Sequence, residues 1–128
     1  MVEESISHSN ISLFKQDLSL ATKVIANDAE IDRMEVELEE ECLKVLALYQ
    51  PVAADLRFVV AVLKINNDLE RIGDLTSNIA KTVSQLAITG PFELPQEISV
   101  MAKQAEEMVK KSLDAVVTAD PDLARQVR

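Results

Sequence analysis

Two pairs of acidic residues, each with members four positions apart, are the groups in this sequence best suited to chemistry. Asp28 and Asp32 form the first pair, and Glu70 and Asp74 form the second. Residues four apart lie on one face of an α-helix, so each pair sets two like charges side by side. Such carboxylates repel one another unless water or a cation surrounds them. Carboxylate oxygens suit hard or borderline cations, so a metal site is one of the two interpretations of this pattern.

The two pairs form one patch if the helices that carry them are antiparallel neighbours. At separations of about 5 to 6 Å and an effective dielectric constant near 20, each like-charge pair costs about 3 kcal/mol. A multivalent cation would relieve this repulsion. The alternative is an acidic face that is simply solvated.

Long helices are predicted on either side of a short turn. No Gly or Pro occurs from Leu18 to Tyr49, and Pro51 ends this stretch because proline lacks an amide proton. A third helix is expected from about Val52 to Ala87, antiparallel to the second. An apolar seam follows spacings of four and three along the second helix. Its members are Leu20, Val24, Asn27, Ile31, Met34, Leu38, Val45 and Leu48.

Burial along the third helix is expected to be uneven. Its N-terminal half is apolar almost all round and should be deeply buried, whereas its C-terminal half should open to solvent. The core stripe is predicted to contain Phe58, Ala61, Val62, Ile65, Leu69, Ile72, Leu75, Ile79 and Val83. Gly73 lies inside the helix at a cost of roughly 1 kcal/mol relative to alanine. Two explanations of this glycine are equally good. It allows close approach of a neighbouring helix, or it leaves backbone room beside a bound ion.

Shorter helices are predicted at both ends of the chain. Residues 1–13 can form a helix in which serines dilute the apolar positions, and Asp17 offers an N-cap for the next helix. Thr89–Pro91 is the strongest break, and a fourth helix is expected from about Pro95.

Composition narrows the function classes. The chain has 128 residues, of which 48% are hydrophobic and 27% charged, as in one globular domain. A net charge of −9 argues against a nucleic-acid partner, because binding to phosphates depends on Lys and Arg. We expect no membrane insertion and a cytoplasmic protein, since no apolar run approaches the roughly 18 residues of a membrane helix and no signal peptide opens the chain. Cys42, the only cysteine, is expected to be a small buried hydrophobe.

A weak internal repeat links the two ends of the chain. Leu20, Ala21 and Val24 match Leu123, Ala124 and Val127, and each set follows an aspartate. Self-similarity over about 100 residues is typical of a duplicated unit. By this register the chain starts late in the first helix of one unit and stops as the second helix of the next unit begins.

Three segments carry a resemblance to the PhoU family of bacterial phosphate-signalling regulators. They read QPVAADLR at residues 50–57, LKINNDLERIGDLTSNIAK at residues 63–81 and VIANDAEIDRME at residues 24–35. The resemblance implies an all-α fold, an antiparallel three-helix bundle with an extra fourth helix. Residues 1–90 would be the first PhoU repeat with a truncated first helix, and residues 91–128 the first helix of a truncated second repeat.

The same resemblance implies a function. PhoU proteins bind multinuclear iron or zinc clusters through such acidic pairs, which carries over to Asp28, Asp32, Glu70 and Asp74, with Glu35, Asn67 and Asn78 as outer ligands. The chain would be a negative regulator of phosphate uptake and starvation signalling, acting between the ATPase of the phosphate ABC transporter and a sensor histidine kinase. The alternative is the cytosolic PhoU-like tail of a sodium/phosphate cotransporter, or a stand-alone helical adaptor.

An enzyme and an isolated monomer are both disfavoured. Di-iron enzymes of the four-helix type use Glu-x-x-His pairs directed into the core, and this sequence has none. We therefore expect no catalysis. Apolar residues of the fourth helix, such as Ile98 and Met101, need a partner. We expect this helix to pair with another copy, giving a homodimer, or to fold back into the place of the absent turns of the first helix.

Overall fold

The computed structural model describes residues 1–127, and every regular element in that range is helical. The elements are α1 (Val2–Lys15), α2 (Leu18–Tyr49), α3 (Ala53–Leu86), a 3₁₀ turn (Ala87–Thr89), α4 (Gln96–Thr118) and α5 (Pro121–Arg125). The predicted all-α fold is confirmed, and the predicted bounds of the second and third helices are correct to within a residue. None of the helices within residues 1–127 combines the length and apolar composition that a membrane span requires.

Helices α2 and α3 form a long antiparallel hairpin that holds the core. Gln50 ends α2 in the left-handed conformation (φ 44°), and Val52, with extended backbone, precedes α3. One end of the hairpin is tied by a core cluster of Ala21, Val24, Ala80 and Val83, each at most 2% exposed. Nearer the middle, Ile31 of α2 lies against Gly73 of α3. A Cβ built on Gly73 would come within 3.0 Å of Ile31 Cγ2, so the glycine serves the close approach of the two helices.

Helix α1 packs on this hairpin through serines. Ser5, Ser9 and Ser12 are at most 2% exposed, and they recur at the helical spacings of four and three. From the sequence alone, these serines are polar positions that dilute the apolar residues of the helix. The structure corrects this, because small side chains let the helix backbones approach closely. The hydroxyls of Ser9 and Ser12 donate to carbonyls three residues earlier in their own helix, at 2.8 Å, so their burial leaves no donor unpaired.

The predicted burial of α3 is wrong, because its two halves are reversed. In the N-terminal half, which was expected to be deep in the core, Phe58 is 62% exposed and Val60 is 40% exposed. In the C-terminal half, Gly73, Ser77 and Ala80 are buried. The reason is length: α1 has 14 residues and spans about 21 Å, whereas α3 has 34 residues and spans about 51 Å. Only the C-terminal half of α3 therefore gains a second neighbour.

Two other burial predictions are partly wrong for related reasons. Leu75, assigned to the core stripe of α3, is 54% exposed, and Leu38 and Leu48 of the α2 seam are 41% and 75% exposed. The seam is buried only where α1 covers the hairpin, at Val24 and Ile31. Cys42 is buried, as expected.

Helix α4 packs beside α1 and faces α3 across a cleft. The Asn10 amide donates to the Ala102 carbonyl at 3.5 Å and to the Glu106 carboxylate at 3.3 Å, and the Gln16 amide donates to the Phe92 carbonyl at 2.7 Å. Between α4 and the other two helices runs an apolar cleft of about 390 Å³. Helix α4 therefore folds back beside α1. It does not take the place of the absent turns of the first helix, in the groove beyond the first residue of α1.

The junction between α4 and α5 reproduces that between α1 and α2. Gln16 and Ala119 both end their helices in the left-handed conformation, with φ of 53° and 52°. Asp17 and Asp120 follow as N-caps, and their side chains accept hydrogen bonds from the backbone of the next helix. The separation of 103 residues equals that between Leu20 and Leu123. The internal repeat seen in the sequence thus has a matching local geometry.

Candidate metal centre

Three of the four predicted carboxylates meet on one side of the α2–α3 hairpin. Asp32 directly follows Ile31 and Asp74 directly follows Gly73, so the tight contact between those two residues sets the register of the acids. Asp28 lies one turn earlier on α2. One carboxylate oxygen from each of the three aspartates lies within 4.8 Å of the others, and such a group could hold a metal ion.

Glu70 lies beside this group without being a member of it. Its side chain is half-buried. Burial raises the pKa of the Glu70 carboxyl, and the charges of Asp74, Asp32, Glu35 and Asp28 raise it further. Residues of both acidic pairs therefore act on one carboxyl, because the antiparallel helices place the two pairs side by side.

No basic side chain neutralises these acids in the part of the chain that the structure describes. None of the ion pairs within residues 1–127 includes Asp28, Asp32, Glu70 or Asp74. Arg33 is adjacent to Asp32 in sequence, but its guanidinium pairs with Glu30 and with Glu37, the latter at 2.9 Å. The patch therefore concentrates negative charge that only solvent or a cation can balance.

The arrangement fits a cation. Asp28 is half-buried, and its Oδ1 atom is buried without a hydrogen-bond partner, which is costly for a carboxylate oxygen. Asp32 and Asp74 are exposed, so an ion can reach the group from solvent. An all-carboxylate donor set suits hard or borderline divalent ions. Of the outer ligands predicted from sequence, Glu35 is half-buried, whereas Asn67 and Asn78 are exposed.

Two buried polar residues near the site were missed by the sequence analysis. The side-chain amide of Asn66 donates to the Glu35 carbonyl at 2.8 Å and so links α3 to α2. Ser77 is 1% exposed, and its hydroxyl has no partner. Their spacing from Gly73, seven residues before and four after, was the available signal, since it places both on the face of α3 that meets α2.

Comparison with known proteins identifies the family. Residues 1–83 match the family model described as the PhoU domain. This chain belongs to the PhoU family. The fold of this PhoU-family chain is also close to one titled "Crystal structure of PhoU from Pseudomonas aeruginosa", with a TM-score of 0.94 and 36% identity over 98% of this chain and 60% of that one.

Two relatives of this PhoU-family chain are named for phosphate transport. The phosphate-specific transport system accessory protein PhoU homolog of Aquifex aeolicus is 39% identical over 99% of this chain and 58% of its own length. The protein of the same name from Pseudomonas aeruginosa is 38% identical over 99% of this chain and 53% of its own length. This chain spans somewhat more than half the length of these relatives.

Proposed function

We propose that the chain is an accessory protein of phosphate transport that acts as a negative regulator of phosphate uptake and of phosphate-starvation signalling. The observation that supports the proposal is the family match over residues 1–83, together with relatives named as accessory proteins of the phosphate-specific transport system. In this proposal the protein is a cytoplasmic helical adaptor. Its partners are the ATPase of the phosphate ABC transporter and a sensor histidine kinase.

The carboxylate patch is the proposed metal centre of this adaptor. Asp28, Asp32 and Asp74 would supply the first oxygen ligands, and Glu70 would join them by a change of rotamer. The convergence of the aspartates within 4.8 Å and the unpaired Asp28 Oδ1 support this. Bound there, a multinuclear iron or zinc cluster would offset the repulsion between the acids and fix the relative position of α2 and α3.

The chain is also proposed to contain one PhoU repeat and the beginning of a second. Residues 1–90 form the first unit, and residues 91–128 supply the first helix of the next. The matching caps at Asp17 and Asp120 support this division. Homodimer formation is proposed as well, because Met101 and Met108 of α4 are 66% and 50% exposed and favour contact with a second apolar surface.

Deletion of the gene in its own organism tests the regulatory role. In phosphate-rich medium, the strain without the protein should take up more phosphate than its parent and should express its starvation genes. Reintroduction of the wild-type gene should restore both to the parental level, and a gene with Asp28, Asp32 and Asp74 changed to asparagine should not. Normal uptake and silent starvation genes in the deletion strain would contradict the proposal.

A further inference from the structure

Within the part of the chain that the structure describes, two buried side-chain polar atoms lack hydrogen-bond partners, and they are a donor and an acceptor. Within residues 1–127, the buried side-chain nitrogen and oxygen atoms without a partner are Asp28 Oδ1 and Ser77 Oγ. A carboxylate oxygen can only accept, whereas a serine hydroxyl can donate. The Ser77 hydroxyl is therefore the kind of donor that Asp28 Oδ1 lacks, and Asp28 Oδ1 is the kind of acceptor that Ser77 lacks.

Ser77 differs from three other buried hydroxyls of the bundle. Those of Ser9, Ser12 and Thr76 donate to carbonyls three residues earlier in their own helices, at 2.7 to 2.8 Å. This local bond is the ordinary way for Ser and Thr to satisfy a hydroxyl within a helix. Ser77 makes no such bond although it is 1% exposed. Its hydroxyl is free for a partner on another helix.

The register of the hairpin places Ser77 opposite Asp28. Ile31 lies against Gly73, and Val24 shares a core cluster with Ala80. Because α2 and α3 are antiparallel, the position on α3 opposite residue 28 falls between these two contacts, at residues 76 and 77. Both residues lie near the face of Gly73 and Ala80, but Thr76 lines the cleft shared with α1 and α4. Ser77 lies on the other side of that face, three residues after Asp74, and so points toward the acids.

We infer that Ser77 is a positioning residue for the carboxylate cluster, and that its hydroxyl donates to Asp28 Oδ1. The bond holds one oxygen of Asp28 inside the hairpin and turns the other toward Asp32 and Asp74. Hydrogen bonds that orient a metal ligand in this way commonly change metal affinity by about 10-fold to 100-fold.

The role in binding rests on the proposed metal centre, whereas the hydrogen bond itself needs no ion. Two measurements separate them. The first is titration of metal-free protein with Mn²⁺ alone, with free Mn²⁺ followed by electron paramagnetic resonance. Ser77→Ala should weaken binding about 10-fold. Ser9→Ala removes an equally buried hydroxyl that is satisfied within α1, and should leave binding unchanged. Ser77→Thr keeps the hydroxyl and should bind more tightly than Ser77→Ala.

The second measurement is a double-mutant cycle in chelator, with the melting temperature as readout. The Ser77→Ala variant should melt at a lower temperature than the wild type, because Asp28 Oδ1 is left without its donor. In the Asp28→Ala background the same change should no longer lower the melting temperature, since the acceptor is already gone. A coupling of this kind is expected only for groups that interact directly.

Each result decides one part of the inference. If Ser77→Ala has the same effect on melting temperature in both backgrounds, the hydrogen bond does not exist and the inference is overturned. If wild type and Ser77→Ala bind Mn²⁺ equally well, Ser77 does not position the cluster. If the wild type does not bind Mn²⁺, the proposed metal centre fails, and the cycle alone decides whether Ser77 bonds to Asp28.

Discussion

At the scale of single residues, the site depends on where small and charged side chains meet. Gly73 lets Ile31 approach the backbone of α3, and that contact sets Asp32 and Asp74 side by side. A larger residue at position 73 would separate the helices, and a shift by one residue in their pairing would separate the carboxylates. Packing and chemistry are therefore coupled at this point of the hairpin.

Gly73→Ala tests this coupling. Alanine gains about 1 kcal/mol of helix propensity over glycine. Its Cβ, however, meets Ile31 Cγ2 at 3.0 Å and Cδ1 at 3.2 Å, and overpacking a core typically costs about 1 to 3 kcal/mol. We expect a net loss of about 1 kcal/mol, measured by urea unfolding in chelator. With Ile31→Ala in place the same change should stabilise the protein, and a loss of equal size in both backgrounds would contradict the account.

The raised pKa of the Glu70 carboxyl should make the stability of the folded protein depend on pH. Its pKa is raised in the folded protein by burial first and by the neighbouring acids second. A carboxyl with a raised folded pKa favours the native state at low pH, and this contribution is lost as the pH rises through the folded pKa. Glu70→Gln mimics the protonated side chain. In chelator the variant should be more stable than wild type at neutral pH, and the difference should vanish as the pH falls toward the ordinary range of a carboxyl.

A matched control removes the general effect of net charge. Glu107 is exposed on α4, and Glu107→Gln removes the same charge. The advantage of this variant over wild type should stay small and should not follow the same pH dependence. If the two variants respond alike, burial at Glu70 has no effect on stability.

At the scale of elements, the existence and bounds of the helices could be predicted, but their burial could not. Pro51 and the uninterrupted stretch before it define α2, and the Asp17 cap fixes where that helix starts. Apolar residues around the N-terminal half of α3 suggested burial, yet burial needs a neighbour. The length of α1 decides which half of α3 has one, and no local pattern within α3 reports that length.

The candidate site was predictable to a similar extent. The spacing of four residues was enough to identify the two acidic pairs. The short turn at Pro51 predicted that their helices are antiparallel neighbours, which places the pairs close together. Spacing from Gly73 predicts that Ser77 is buried, but not that its hydroxyl is unpaired, since a serine within a helix usually bonds to its own backbone. The half-buried position of Asp28 depends on the close approach of α2 to α3, which the pattern of acids does not show.

Asn66 provides a prediction for the hairpin as an element. Its amide is 6% exposed and donates to the Glu35 carbonyl across the helices. Asn66→Ala removes that bond and should lower the free energy of unfolding by about 1 to 2 kcal/mol in chelator. Asn67→Ala changes the exposed neighbour and should lie within about 0.5 kcal/mol of wild type. Equal effects at the two positions would exclude a structural link through Asn66.

At the scale of the whole molecule, stability is expected to be unevenly distributed. The hairpin is closely packed where α1 covers it and open toward the turn, where Leu48, Tyr49 and Val52 are at least 73% exposed. Regions with few buried contacts open at lower free energy than the core. The cluster of Asp28, Asp32 and Asp74 lies between these two regions, so a cation bound there would stabilise the boundary of the closely packed part.

Hydrogen exchange tests this distribution. Amides of residues 53–63 should exchange faster than those of residues 73–83, although both segments lie in one continuous helix. The measurement is made in chelator and repeated at a tenfold lower protein concentration. Protection of residues 53–63 that falls on dilution would show that a second copy covers the open half. Equal and concentration-independent protection along α3 would contradict the account.

The metal dependence of the melting temperature tests the central claim most directly. A cation at 100 times its dissociation constant stabilises the folded state by about 2.7 kcal/mol. In phosphate-free buffer, Mn²⁺ should therefore raise the melting temperature of the wild type and of the exposed control Asp114→Asn. It should not raise that of Asp32→Asn or Asp74→Asn, and Asp74→Asn should be slightly more stable than wild type in chelator. An equal rise with Mn²⁺ in all four proteins would show that Asp28, Asp32 and Asp74 are a solvated acidic face and not a metal centre.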